Sequence, residues 1–157
     1  MPHQPPIRRL ARALRGVPLC CEPYCRIVYG RDAAGRTGQA AAVVFPRSLD
    51  DLVRVLREAS RAGVGIVMRG AGTGFSGGAV PVAGEVVVST EKLSRIIGFD
   101  PDAGWVEIEA GVVNGRLQQY LERRGWFYPP DPASLDTSSL GGNAATNAGG
   151  PGCIKYG

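Results

Sequence analysis

The sequence lacks any long apolar run and contains very little histidine and lysine. Its 157 residues include one histidine, His3, and two lysines, Lys92 and Lys155. No apolar run approaches the ~20 residues of a membrane-spanning helix, and the segment before Cys20 lacks the apolar centre of a secretory signal. No lysine occurs between residues 62 and 91, so the glycine-rich segment found there cannot be the Gly-Lys-Ser/Thr loop of a P-loop NTPase.

Cysteine is also sparse, and its spacing fits no metal or cluster motif. Cys20, Cys21 and Cys25 form a CC-x3-C pattern, and Cys153 is far away. This spacing is neither CxxC nor a ferredoxin pattern, and His3 is distant, so we predict no metal site. Reduced thiols and a cytoplasmic location are the default for such a chain, with any membrane association made through a partner protein.

The composition is otherwise that of a globular domain, with 44% apolar and 20% charged residues. A chain of this length can bury a real core. Glycine (23) and proline (12) exceed their usual share, which predicts many turns and shaped loops. Disorder, collagen and coiled coil are excluded.

The net charge of +4 is concentrated at the amino terminus. Residues 1–36 carry a charge of +5, because seven arginines face only Glu22 and Asp32, and the remaining 121 residues carry −1. Binding to a phosphate backbone needs basic residues clustered on a folded face, so we predict a basic arm over residues 1–36 and no nucleic-acid partner. One helical face within the arm would carry Ile7, Leu10, Ala11 and Leu14, and no acidic residue precedes Glu22, which is compatible with an organelle-targeting helix. An ordinary docking helix is favoured over that alternative.

The next segment predicts a βαβ unit. Ala40–Phe45 is typical of a buried strand, and Val64–Met68 of a second. Between them, Ser48 and Asp51 are typical of a helix start and Gly63 of a helix end, with apolar residues spaced by three and four. The two strands are therefore expected to be parallel.

Short strands follow, predicted at Val86–Ser89, Ile96–Asp100 and Trp105–Glu109. Turn-forming residues between the last two predict a hairpin. Asn114 is predicted to cap a further helix that stops at Gly125.

The glycine-rich segment 69–78 carries the strongest functional signal. Glycines at alternate positions are expected to adopt positive φ and turn their amides inward, which gives an anion nest suited to a diphosphate. Its GxGxxG spacing also matches the Rossmann fingerprint, but Pro81 and Gly84 stop the helix that this fingerprint requires. A tight turn without a ligand is the alternative. The candidate residues are Arg69, Gly70, Ala71, Gly72, Thr73, Gly74, Phe75, Ser76, Gly77 and Gly78.

A second glycine-rich run lies at residues 141–150, in a stretch from Phe127 onward that has little periodicity and is predicted as loop. This run could also present amides and small polar side chains. Two such loops could close on one extended ligand from two sides.

Four segments in register now give a resemblance. Residues 69–78 with Pro81, 130–134, 141–150 and 155–157 resemble FAD-linked oxidases of the vanillyl-alcohol oxidase type. The group most similar contains the FAD-binding subunit of glycolate oxidase and the D-lactate and D-2-hydroxyglutarate dehydrogenases. The resemblance implies an α+β, PCMH-type FAD-binding domain over residues 37–157, with a βαβ first subdomain and the beginning of an antiparallel-sheet second subdomain. FAD would lie extended between them.

The resemblance also implies a function. FAD would accept a hydride from a 2-hydroxy acid such as glycolate or D-lactate, with an electron-acceptor protein as a second partner. FAD is expected to be non-covalent, because the first loop has no histidine and Cys153 follows the second loop. Catalytic and metal residues would lie beyond Gly157, so the chain is expected to be an amino-terminal fragment that is inactive alone. Further cofactor-binding residues carried over are Pro132, Ala133, Ser134, Thr137, Gly141, Gly142, Asn143, Thr146 and Asn147.

Two other functions stay open. One is a nucleotide-binding module without catalysis, which would use the same loops. The other is a nucleic-acid or partner-binding protein that uses the basic arm, and the nearly neutral charge of residues 37–157 argues against it.

Overall fold

The structure, a computed structural model, describes residues 5–156 and arranges them around a four-stranded sheet and a two-stranded hairpin. His3 and Gly157 lie outside the described residues. The elements in chain order are α1 (Pro5–Ala13), β1 (Leu19–Cys20), α2 (Pro23–Tyr29), β2 (Ala42–Val44), α3 (Leu49–Ala62), β3 (Ile66–Arg69), β4 (Val86–Ser89), β5 (Ile96–Asp100), β6 (Trp105–Ile108), α4 (Asn114–Glu122), α5 (Leu140–Thr146) and α6 (Cys153–Tyr156).

The first sheet has the strand order β1-β2-β4-β3. The predicted parallel direction of β2 and β3 is confirmed, but the two strands are not neighbours, because β4 lies between them and is parallel to both. Val86, Val87 and Val88 are fully buried. A continuous apolar run of this kind is typical of a central strand covered on both faces.

Helix α3 begins and ends where the sequence predicts. The Ser48 hydroxyl accepts a hydrogen bond from the Asp51 amide at 3.1 Å, and Gly63 ends the helix in the left-handed conformation with φ +64°. These two caps satisfy backbone groups that the helix itself leaves unpaired. Residues 47–63 thus connect β2, an inner strand, to β3 at one edge of the sheet.

Helix α1 packs on α3 as a docking helix. Ile7, Leu10 and Leu14 are buried in the same core cluster as Val55 and Ala59 of α3. The contact also has polar bonds, since the Arg54 guanidinium of α3 donates hydrogen bonds to the carbonyls of Ala13 and Arg15, at and just after the end of α1. The amino-terminal segment therefore contributes to the core of the first sheet, and the domain boundary between residues 36 and 37 stays a prediction.

The prediction of reduced thiols is wrong for one pair of cysteines. Cys20 in β1 and Cys25 in α2 form a disulfide, because the short β1–α2 connection brings their Cα atoms to 6.4 Å, within the usual span of a disulfide. Cys21 and Cys153 are free, and burial raises the pKa of the Cys21 thiol. Such bonds are uncommon in the cytoplasm, and a cytoplasmic location stays a prediction.

Residues 96–156, from β5 to α6, are here called the second unit. It begins with the predicted hairpin, which is confirmed by antiparallel pairing of β5 and β6. The prediction that Asn114 caps α4 is wrong. Val113 occupies the cap position, and Asn114 is the first helical residue, fully buried, with its side-chain amide donating to the Pro130 carbonyl at 3.4 Å. Asn114 thus anchors the following segment.

The prediction of loop throughout the segment after Phe127 is also wrong, since it contains α5 and α6. Helix α5 has two glycines and little helix propensity. It forms because the Ser139 hydroxyl accepts from the Gly142 amide at 3.3 Å, and Asn147 ends the helix with φ 52°. Within residues 5–156, no helix is long and apolar enough to cross a membrane.

Candidate functional site

A cleft of about 450 Å³ lies between the first sheet and the second unit. Parallel strands β3 and β4 end at the same edge of the sheet, so the residues that follow them meet there. One wall is formed by these residues and by the end of α2, and the other by the start of α4 and the residues before α5. The lining residues are Val28, Tyr29, Arg69, Gly70, Ala71, Thr90, Glu91, Ser94, Gly111, Val113, Arg116, Thr137 and Ser139.

The glycine-rich segment extends from this cleft along the surface. Within the part of the chain that the structure describes, no backbone amide of residues 71–78 donates a hydrogen bond to the protein. Gly74, Phe75, Ser76 and Gly78 are exposed, and Thr73 is half-buried. A run of unpaired, accessible amides is the arrangement expected of an anion nest.

The glycines of this segment do not all serve the purpose that the sequence predicted. Only Gly72 (φ +76°) and Gly77 (φ +83°) have positive φ, so the expectation of positive φ at Gly70 and Gly74 is wrong. Gly70 is needed for close approach, because a Cβ atom there would lie 2.2 Å from the Ser139 hydroxyl oxygen. Gly74 has open space around its Cβ position.

Arg69 supports the loop from beneath. Its side chain is buried, and its guanidinium donates to the Arg31 carbonyl at 2.7 Å and lies 5.6 Å from the centre of the Tyr29 ring. A Cβ atom on Gly72 would lie 2.0 Å from the same guanidinium. Burial lowers the pKa of Arg69 from its ordinary value. The guanidinium therefore adds a positive charge under the loop, and its position there is fixed by the bond to the Arg31 carbonyl.

Tyr29 and Glu91 form a polar pair at the cleft. The Tyr29 hydroxyl donates to the Glu91 carboxylate at 2.6 Å. Burial, followed by this hydrogen bond, raises the pKa of Tyr29 to about 12. The phenol therefore stays neutral and remains a donor at any physiological pH.

The second glycine-rich run does not present its first amides to a ligand. The Leu140 amide donates to the Val112 carbonyl and the Gly141 amide to the Ala110 carbonyl, each at 2.8 Å. A Cβ atom on Gly141 would lie 2.6 Å from the Ala110 Cβ, so this glycine allows close packing. The expectation of an open amide run is wrong here, because the segment is the start of a helix docked on the second unit.

The two glycine-rich segments nevertheless meet. The Cβ position of Gly70 lies 3.6 Å from the Gly142 Cα, in addition to its contact with Ser139. Thr146 donates its hydroxyl to the Gly142 carbonyl at 3.0 Å, and Asn143 is buried with its side-chain nitrogen unpaired among the described residues. The two segments are thus adjacent through direct packing, and their closing on one ligand from two sides stays a prediction.

Residues 132–138 form a turn that carries one predicted residue into the cleft. The Pro132 carbonyl accepts from the Leu135 amide, and the Ser134 carbonyl accepts from the Thr137 amide and hydroxyl. Thr137 lines the cleft. Pro132 is buried beneath the turn, and Ala133 is exposed on it.

The structure therefore places Arg69, Gly70, Ala71 and Thr137 in the cleft and the rest of the first loop beside it. Gly141, Gly142, Asn143, Thr146 and Asn147 belong to α5 and its end, behind Ser139. Sequence reasoning missed the lining residues of α2, of the β4–β5 connection and of the start of α4. Their only signal is long-range, such as the pairing of Tyr29 with a residue 62 positions later. Within residues 5–156, no group of three or more His, Cys, Asp or Glu side chains could hold a metal ion.

Comparison with known proteins identifies the family. A family model described as FAD binding domain matches residues 40–157. The chain is 40% identical over 130 residues to D-2-hydroxyglutarate dehydrogenase of Stutzerimonas stutzeri, which covers 82% of this chain and 28% of that protein. It is 36% identical over 133 residues to the glycolate oxidase subunit GlcD of Bacillus subtilis, covering 84% and 28%. The chain thus spans just over a quarter of these relatives.

Solved structures share the fold. An alkyldihydroxyacetonephosphate synthase superposes with a TM-score of 0.84 at 22% identity, covering 96% of this chain and 34% of that one. A p-cresol methylhydroxylase superposes with a TM-score of 0.77 at 19% identity, covering 90% and 29%. The chain belongs to the FAD binding domain family and has the PCMH-type fold of the vanillyl-alcohol oxidase group.

Proposed function

We propose that the protein binds FAD non-covalently, with the diphosphate on residues 70–78, and that it serves a flavin-dependent dehydrogenase or oxidase of 2-hydroxy acids. The observation that carries the proposal is the run of unpaired amides at residues 71–78 beside the cleft between the first sheet and the second unit. A doubly charged diphosphate is a ligand that such amides can stabilise.

The neighbouring residues fit this ligand. The Arg69 guanidinium adds positive charge beneath the loop. The Tyr29 and Thr137 hydroxyls already donate to the Glu91 carboxylate and the Ser134 carbonyl, so their oxygens can accept hydrogen bonds inside the cleft. A cleft of about 450 Å³ holds part of an extended dinucleotide. The further cofactor-binding residues that we propose lie in the turn at 132–138 and in α5 and its end, on the opposite side of the cleft; they are Pro132, Ala133, Ser134, Gly141, Gly142, Asn143, Thr146 and Asn147.

The proposed substrate class follows from the relatives, whose names are D-2-hydroxyglutarate dehydrogenase, glycolate oxidase subunit and D-lactate dehydrogenase. Bound FAD supplies the redox chemistry by accepting a hydride from the α-carbon of the substrate. The described residues bind and orient the cofactor. An electron-acceptor protein is the second proposed partner.

The experiment uses protein expressed from the complete gene that encodes this chain. We expect a flavin absorbance spectrum, FAD released into solution by acid precipitation, and reduction of a redox dye by glycolate, D-lactate or D-2-hydroxyglutarate. Flavin that stays with the precipitated polypeptide would contradict non-covalent binding. Bound FAD without dye reduction by any 2-hydroxy acid would favour a nucleotide-binding module instead.

A further inference from the structure

We propose that residues 31–37, here called the brace, orient the backbone amides of the glycine-rich segment 69–78 (the glycine loop) towards the ligand, with Arg36 as the principal positioning residue. The inference rests on the proposed FAD site and specifies what fixes its geometry. The brace lies before residue 40, where the match to the family model begins. It also gives part of the basic arm a role.

The brace is a small, tightly bonded turn. Arg31 and Thr37 form an antiparallel bridge, and Gly35 turns the chain with φ +81°. The Asp32 amide donates to the Arg36 carbonyl at 3.1 Å, and the Arg36 amide donates to the Asp32 carboxylate at 2.9 Å. Asp32 is only 8% exposed. These contacts hold the backbone of Arg36 in place, from which its side chain reaches the glycine-rich segment.

The brace grips the glycine loop by its carbonyl oxygens. The Ala33 amide donates to the Gly72 carbonyl at 3.0 Å, and the Arg36 guanidinium donates to the Phe75 carbonyl. The side chain of Arg36 also lies against Gly77, whose Cβ position is 3.4 Å from it.

The hydrogen bonds to the Gly72 and Phe75 carbonyls determine the direction of the two amides that follow them in the chain. All peptide bonds of the described residues are trans, and in a trans peptide the N–H points opposite to the C=O of the preceding residue. The Thr73 amide is therefore turned away from the bonded Gly72 carbonyl, and the Ser76 amide away from the bonded Phe75 carbonyl. Both amides are unpaired among the described residues. The brace thus orients them before any ligand arrives.

The charge of Arg36 acts in the same direction. Its guanidinium sits at the back of the Phe75–Ser76 peptide, where it favours negative charge in front of the Ser76 amide. A donor that is already oriented loses little entropy when the ligand binds. Removing the residue that orients it should therefore weaken binding of the ligand that accepts its hydrogen bond.

The test compares Arg36→Ala and Arg36→Lys, with Arg57→Ala as the control. Arg57 is an exposed arginine of α3, so its substitution removes the same charge away from the loop. Calorimetric titration with ADP and with adenosine separates the diphosphate from the nucleoside. We expect Arg36→Ala to weaken ADP binding about tenfold or more, Arg36→Lys to recover part of the loss, and adenosine binding and the control to match wild type.

Equal losses for ADP and adenosine would overturn the inference, as would unchanged ADP affinity in Arg36→Ala. A wild-type protein that binds neither ADP nor FAD would instead refute the proposed function itself. Should Arg36→Ala fail to fold, inorganic pyrophosphate titrated into wild-type protein decides by amide NMR. The Thr73 and Ser76 amides are expected to shift most, and unmoved signals would refute the inference.

Discussion

Gly72 provides the sharpest test of how the loop is built. Substitution by alanine forces a side chain into the left-handed conformation, at φ +76°, which costs about 1–2 kcal/mol. The new Cβ atom would also lie 2.0 Å from the Arg69 guanidinium. That group is the end of a flexible side chain and can shift, but it is buried and bonded to the Arg31 carbonyl.

Displacing the guanidinium from its carbonyl costs a further ~1.5–3 kcal/mol, because a charged donor loses its bond. We therefore expect Gly72→Ala to lower the free energy of unfolding by about 2.5–5 kcal/mol. For a chain of this length, the melting temperature falls by roughly 2–4 °C per kcal/mol. Urea unfolding followed by circular dichroism, without added FAD, measures the change.

Gly74→Ala is the matched control two residues later. Gly74 does not have positive φ, and nothing lies within 4 Å of its Cβ position. Its substitution is expected to change the free energy of unfolding by no more than about 0.5 kcal/mol. Equal stability of the two variants would show that neither the positive φ of Gly72 nor its contact with Arg69 matters for folding.

Three further predictions concern the ligand, the loop contact and the cleft. Gly74→Val should abolish FAD retention while leaving the circular dichroism spectrum unchanged, because a valine would fill the open space beside the amides that we propose bind the diphosphate. Unchanged flavin content would contradict this. Gly70→Ala should destabilise the protein in thermal unfolding. Ser139→Ala alone should also destabilise it, because the Ser139 hydroxyl caps α5, but in the Ser139→Ala background Gly70→Ala should cost much less, since the nearest remaining side-chain atom is then 3.5 Å away. Strictly additive effects would argue against the contact. Because the pKa of Tyr29 is raised to about 12, the stability that its neutral phenol gives to the folded protein is full below pH 10 and is lost as pH rises towards 12. Ultraviolet titration of the wild type, with Tyr29→Phe as the reference, measures this pKa. Glu91→Gln should lower the pKa of Tyr29 only partly, because burial is the larger cause of the shift.

Local signals predicted the elements whose structure is determined locally. Ser48, Asp51 and Gly63 mark the ends of α3 because their caps bond backbone groups within four residues. The β5–β6 hairpin follows from its turn in the same way. Pro81 and Gly84 correctly excluded a helix after the glycine loop, where the structure has turns.

Long-range contacts decided what the sequence could not. The place of β4 between β2 and β3 depends on pairing across more than forty residues. Helix α5 has low intrinsic propensity and forms through its docking on Ala110 and Val112. The role of Asn114 was misassigned for the same reason, since its partner, the Pro130 carbonyl, lies sixteen residues away.

The glycine pattern was half informative. It located the loop, but the glycines are required for different reasons: Gly72 has positive φ, and Gly70 allows close approach to Ser139. Composition cannot separate these needs, because each depends on a neighbour from elsewhere in the chain. The disulfide between Cys20 and Cys25 was missed because its geometry arises only once β1 and α2 are placed.

A structure of the protein with FAD bound would show whether residues 71–78 hold the diphosphate. We expect diphosphate oxygens within hydrogen-bond distance, about 2.7–3.2 Å, of backbone nitrogens in residues 71–78, including those of Thr73 and Ser76. A diphosphate held elsewhere, with these amides still unpaired, would contradict this.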